Sequence, residues 1–182
     1  MGKLNVRFAM VVAMAAIAST SAQARAQSAE CKTAMAPQSK LYDKPFHMYS
    51  VDTAQTDAGL HGGQPRVNET IWTGDAAYIM SRGKWTKSKV NAADLRTREV
   101  DPDKKYTCSR LRDESVNGET ATLWRIHEVS DDDTIDTDEW ISKGRGLVLK
   151  TDVHMDVGGA LGKSHIVMRY EYDNVRLPAG VR

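Results

Sequence analysis

The chain has 182 residues and a formal net charge of +1. A balance so near neutral gives no electrostatic reason to expect nucleic acid or an anionic membrane surface as a partner. The length leaves room for one domain rather than two sizeable cores.

Lys3 and Arg7 make a positive start, Phe8 to Ala18 is uninterrupted and apolar, and small residues lead to Ala22-Gln23-Ala24. That order is expected of a cleavable secretory signal peptide over residues 1–24, cut after Ala24 or alternatively after Ala26. The apolar block falls short of the roughly 20 residues that a membrane span needs, so no membrane-spanning segment is expected. Removal would leave roughly 157 residues of an exported, periplasmic protein, and would change the net charge from +1 to −1 through loss of Lys3 and Arg7. Cytosolic nucleotides would then be out of reach.

Residues 25–45 read as an N-terminal segment, and residues 46–182 as the main domain. Ser28 is placed to cap a short helix through about Met35, ended by Pro37. Phe46 to Asp52 reads as a strand, and Thr53 to Gly63 as a loop. From Arg66 the alternation of polar and apolar residues gives a run of hairpins. RVNETIWT, AAYIMS and KWTKS are strands joined at Gly74-Asp75 and Arg82-Gly83. Asn91 to Arg96 reads as one or two helical turns. YTCSRL and TATLWRIHEV follow, around the turn Val116-Asn117-Gly118-Glu119. TIDTDEWIS, LVLKTDVHMD and SHIVMRYEYDNV close the chain as strands. Many short strands joined locally predict a mainly β fold with a few short helices, built on an antiparallel meander.

Register in the last hairpin can be read from charge. Setting Asp152 opposite Arg169 and Lys150 opposite Glu171 pairs opposite charges, whereas a shift of two would oppose Lys150 to Arg169. A shift of one would mix the faces, so in the charge-matched register Leu147, Leu149, Val153, Met155, Ile166, Met168, Tyr170 and Tyr172 are expected to share one buried face. The hairpin before it should bring Leu123, Trp140 and Leu149 together and set Arg125 near Asp138. A face rich in aromatics and Met has the texture of an adaptable apolar surface.

Cys31 and Cys108 are the two cysteines. In an oxidising compartment the pair reads as one disulfide; two free buried thiols are the alternative.

The remaining motifs carry less. Val157 to Ser164 imitates a phosphate-binding loop, but Val157 stands where Gly is required and a strand follows instead of a helix. Asp131-Asp132-Asp133 lacks the Gly-enabled turn of a calcium loop and reads as a solvated hairpin tip. In the charge-matched register His154 and His165 lie close together on the outer face with Asp156 across from His165, a set that could hold zinc or copper. No tight His-x-His spacing supports it, so no metal is expected. No catalytic set or cofactor motif is recognisable, and Asn68-Glu69-Thr70 matters as a glycosylation acceptor only in a eukaryotic secretory route.

Four segments resemble a known family: ETIWTGDAAYIMSRGKW, YTCSRL, EWISKGRGLVLKTDV and MRYEYDNVRLPAG. Together they are similar to the LolA/LolB/RseB-like lipoprotein-carrier superfamily of periplasmic proteins, over about Phe46 to Pro178. In that family a tryptophan strand turns into a GLPLK-like strand, matched here by Trp140-Ile141-Ser142 and Gly146 to Lys150, with Val148 where the family often has Pro. The resemblance implies a curved antiparallel sheet forming an incomplete, half-open barrel with an apolar cavity for acyl chains. The function implied is non-catalytic binding of a hydrophobic molecule or lipid acyl chain, with Trp124, Trp140, Leu149, Met168, Tyr170 and Tyr172 as ligand-binding residues. Ser28 to Met35 and Thr53 to Gly63 would be the covering segments. The alternative is an envelope regulatory module with a filled cavity and a protein partner.

Overall fold

The structure, a computed structural model, describes residues 28–54, 65–81, 83–89, 104–130, 133–157, 162–178 and 181. The signal-peptide segment, the helical turns expected at Asn91 to Arg96, and the tip of the loop around Gly158 lie outside these residues.

Among the described residues nine strands make one antiparallel sheet. They are β1 (Phe46–Ala54), β2 (Arg66–Trp72), β3 (Ala77–Ser81), β4 (Lys84–Lys87), β5 (Lys105–Val116), β6 (Glu119–Val129), β7 (Asp133–Ser142), β8 (Val148–Val157) and β9 (Gly162–Glu171). The order β4-β3-β2-β1-β9-β8-β7-β6-β5 joins two meanders by pairing the first strand with the last. The sheet does not close, so β4 and β5 remain as edges, and the architecture is the half-open barrel expected. Both edges carry charge (Lys84 and Lys87; Arg110, Arg112 and Glu114), and β5 bulges at Leu111 between Arg110 and Arg112. Charge and bulges discourage a second chain from pairing with an open edge.

Turn chemistry fixes the hairpins. Asn117 and Gly118 both take positive φ, at 52° and 83°, the left-handed pair that a two-residue hairpin turn requires.

One helix, α1 (Ala29–Ser39), precedes the sheet, capped by the Ser28 side chain accepting from the Cys31 N–H at 3.2 Å. Helix geometry carries it past the expected end, with Pro37 inside its last turn. A 3-10 turn, Leu41–Asp43, leads on to β1. The helix crosses one face of the sheet obliquely. Its start is tied to β5 by the Cys31–Cys108 disulfide, its last turn reaches β7 through Gln38 and Glu139, and the following turn reaches β2, where the Trp72 indole N–H donates to the Tyr42 carbonyl at 3.0 Å. Beneath that last contact lie Phe46, Trp72, Ala77, Val148 and Tyr170, packed by Leu41, Tyr42, Met48, Met168 and Tyr172. Tyr42 meets Trp72 edge-on at 5.5 Å, and Phe46 meets Tyr170 at 5.7 Å, separations at which aromatic pairs attract beyond their buried area.

The opposite face carries two smaller clusters. Ala121, Leu123, Trp140 and Leu149 make one. Ile71, Ala76 and Tyr78 make the other, packed by Trp85 and by Val175 and Val181 from the segment after β9. Arg125 grips Asp138 with two hydrogen bonds of 2.7 and 2.8 Å, as the sequence suggested.

Two expectations are corrected. The last hairpin pairs Lys150 with Arg169 and His154 with His165, two residues away from the charge-matched register. The like charges are tolerated because Lys150 lies over the Trp140 ring, 4.0 Å from its centroid, and 3.8 Å from Asp152, while Arg169 is exposed. Second, Leu149 does not share a face with Tyr170 and Met168. Trp140 pairs with Lys150 but Ile141 with Val148, so Leu149 is an extra residue in a bulge that turns it to the opposite side. Val148 takes the place on the helix-bearing side.

Candidate functional site: the uncovered corner of the helix-bearing face

Cross-strand rows define what α1 leaves uncovered. One row runs Trp124, Glu139, Thr151, Met168, Ser50 across β6, β7, β8, β9 and β1. The next runs Ile126, Thr137, Val153, Ile166, Asp52, and Ile135, Met155 and Ser164 stand in the row beyond. Alternation puts all of these on the helix-bearing side. α1 seals the β5–β6 end, where Cys31 and Ala34 are fully buried. Further along β7 to β9, Ile135, Val153, Met155, Ile166 and Met168 are half-buried. They form a continuous apolar strip beside the packed aromatic core, on strands whose backbone hydrogen bonds hold its shape.

Two carboxyl groups border the strip. Glu139 is fully buried, accepts from the Gln38 amide on Oε2, and has no partner for Oε1 among the described residues. Burial raises its pKa to about 7, against a smaller lowering by the Gln38 hydrogen bond, because a charge is costly away from water. Asp52 Oδ1 is likewise buried without a partner among the described residues. Nearby, burial pushes the Tyr170 and Tyr172 hydroxyls above their ordinary range, and the Tyr172 hydroxyl donates to the Val148 carbonyl at 2.7 Å. Such a corner can take up apolar chains and accept hydrogen bonds at its margin.

The six residues singled out from the sequence separate. Trp124 and Met168 are half-buried in one row on the helix-bearing side. Tyr170 is built into the aromatic core, with Tyr172 packed against it. Trp140 and Leu149 lie on the other side of the sheet, where the Trp140 indole N–H donates to Glu114. That bond, more than the nearby Arg112, holds the Glu114 carboxyl below its usual range. Val153, Met155 and Ile166 were legible as face partners. Ile135 and Glu139 were missed, although both alternate correctly within TIDTDEWIS; the acidic residues around them masked the signal.

The disulfide is formed as the even cysteine count suggested. Among the described residues no helix is long and apolar enough to cross a membrane.

The fold defines a half-open antiparallel barrel with a helix across one face. No family model matches the chain, and no curated protein matches it. Solved structures similar to it include the lipoprotein LppX of Mycobacterium tuberculosis, 13% identical over 83% of this chain and 100% of that one, with a TM-score of 0.46. A LolA superfamily protein from Nitrosomonas europaea is 12% identical over 79% of this chain and 92% of that one, with a TM-score of 0.24. A DUF1329 family protein from Desulfovibrio piger is 11% identical over 84% of this chain and 94% of that one, with a TM-score of 0.29.

Proposed function

We propose that the protein is an exported, periplasmic, non-catalytic binding protein that holds a lipid acyl chain or similar apolar molecule against the corner of its helix-bearing face that α1 leaves uncovered. The observation that carries this reading is the half-buried strip of Ile135, Val153, Met155, Ile166 and Met168 beside a core that is already packed. Covering such side chains gains roughly 25 cal/mol per Å2 of apolar surface removed from water. Trp124 stands at the end of the Met168 row toward α1 and marks one limit of the site. Glu139 Oε1 and Asp52 Oδ1, without partners among the described residues, suit a hydroxyl or amine at the ligand's polar end. The sequence motifs that resemble the lipoprotein-carrier superfamily support the same reading.

A second reading, a module that docks an envelope protein, draws on Val51 and Val67. They are direct cross-strand partners on the opposite face and are 40% and 67% exposed.

Native mass spectrometry of gently purified protein, followed by titration with a fluorescent fatty acid, tests the first reading. Adduct masses or saturable uptake, weakened by Val153→Asp, are the expected result. A clean mass for the chain alone together with no uptake would remove it and leave the Val51–Val67 surface to be examined.

A further inference from the structure

On the side of the sheet away from the apolar strip, Asp152, His154 and His165 converge. His154 and His165 are direct cross-strand partners, and Asp152 precedes His154 by two residues on the same face. The two imidazole rings stack with centroids 4.1 Å apart and planes within 7°. Both present Nε2 to the same carboxylate oxygen, Asp152 Oδ1, at 2.7 Å from His165 and 3.4 Å from His154. All three ligand atoms lie within 4.8 Å of one another.

We propose that Asp152, His154 and His165 form a surface binding site for a divalent transition-metal ion of the zinc class. Ligand atoms bound at 2.0–2.1 Å around a tetrahedral ion are roughly 3.3 Å apart, and the observed separations bracket that value. Rotating the two rings out of their parallel stack turns both Nε2 lone pairs toward one ion, on backbone positions already set by the β8–β9 ladder. Lys150 approaches Asp152 through Oδ2, at 3.8 Å, which leaves Oδ1 turned to the imidazoles. Asp136 lies directly across from His154 on β7 and adds negative charge, while His127 engages Asp136 at 2.7 Å. Two imidazoles with one carboxylate suit zinc, copper or nickel and give calcium and magnesium too few oxygens. Three protein ligands leave a fourth position for water or for a group from another molecule. The charge-matched register had suggested Asp156 as the carboxylate, but Asp156 pairs with Lys163, and the shift of two residues is what brings Asp152 into place. Being on the other face, the site does not depend on whether the apolar strip holds a ligand.

Untagged full-length protein, dialysed against zinc chloride and analysed for metal, is the test, with calorimetric titration for affinity. One zinc per chain is expected, with affinity reduced at least about tenfold in His154→Ala and in His165→Ala, since loss of a ligand should cost no less than loss of a supporting group. His154 is 61% exposed, so its removal should leave the circular dichroism spectrum unchanged. His47→Ala, on the same face but at the other end of β1, should bind as the parent does. Absence of zinc uptake by the parent protein, full affinity in either ligand variant, or equal loss in His47→Ala overturns the proposal.

Discussion

The side-chain amide of Gln38, in the last turn of α1, donates to the carboxyl of Glu139 at the middle of β7. It is a polar tie across 101 residues of sequence, joining an exposed helix residue to a fully buried carboxyl where the helix lies on the sheet. The other carboxyl oxygen is left without a partner among the described residues, so the contact is sensitive to whether Glu139 carries a proton.

That sensitivity sets a pH dependence. The pKa of Glu139 is about 7 in the folded chain against an ordinary 4.5, so between these values the folded state holds more protons than the unfolded one. Stability from this group is present below pH 4.5, falls as pH rises toward 7, and levels off above, a total of roughly 3 kcal/mol at 1.36 kcal/mol per pKa unit. The lowered carboxyls of Glu114 and Glu119 act in the opposite sense, only on acidification through and below their ordinary range. Glu139→Gln should therefore be more stable than the parent at pH 8 and show a flatter profile from pH 5 to 8 in urea titrations. A parent whose stability rises across that interval would contradict the assignment.

The Cys31–Cys108 bridge closes a long loop, with a sequence separation of 77. Reduction, or Cys31→Ser with Cys108→Ser, should lower stability by roughly 4 kcal/mol on the chain-entropy account. The change should show as a lower urea midpoint, and limited proteolysis should cut first within α1.

Trp72 is fully buried, and its indole N–H satisfies the Tyr42 carbonyl. Trp72→Phe keeps an aromatic ring but removes that hydrogen bond, which should cost about 0.5–1.5 kcal/mol in thermal or urea unfolding. Val67→Ala, at a position 67% exposed, should cost within about 0.5 kcal/mol.

Trp124 and Trp140 lie on opposite sides of the sheet, so they distinguish where an apolar guest binds. A fatty acid at the proposed corner should shift tryptophan emission in Trp140→Phe but much less in Trp124→Phe. The reverse pattern would place the guest on the Leu123–Leu149 side.

Much of this fold was legible because alternation of period two needs only local sequence. RVNETIWT, TATLWRIHEV and TIDTDEWIS fall within a residue or two of β2, β6 and β7, and Asn117-Gly118 announced its own turn. Register was harder. Charge matching favoured Asp152 opposite Arg169, but Lys150 found the ring of Trp140, a residue on another hairpin. The displacement of Leu149 was hidden for a related reason: a bulge belongs to a pair of strands and leaves no mark in the alternation of one. The candidate site was half visible. Its apolar members follow the alternation, whereas the burial of Glu139 depends on a helix arriving from the other end of the chain.

The pairing of β1 with β9 has a temporal consequence. His47 meets Glu171 and Ala54 meets Ser164, partners separated by most of the polypeptide, and contacts so distant in sequence are slow to find one another. Each meander can assemble as it emerges, but the seam between them must wait for β9. Until then β1 offers an open ladder, which makes this the point where a chaperone would give the most protection, and where a stray strand would do the most harm.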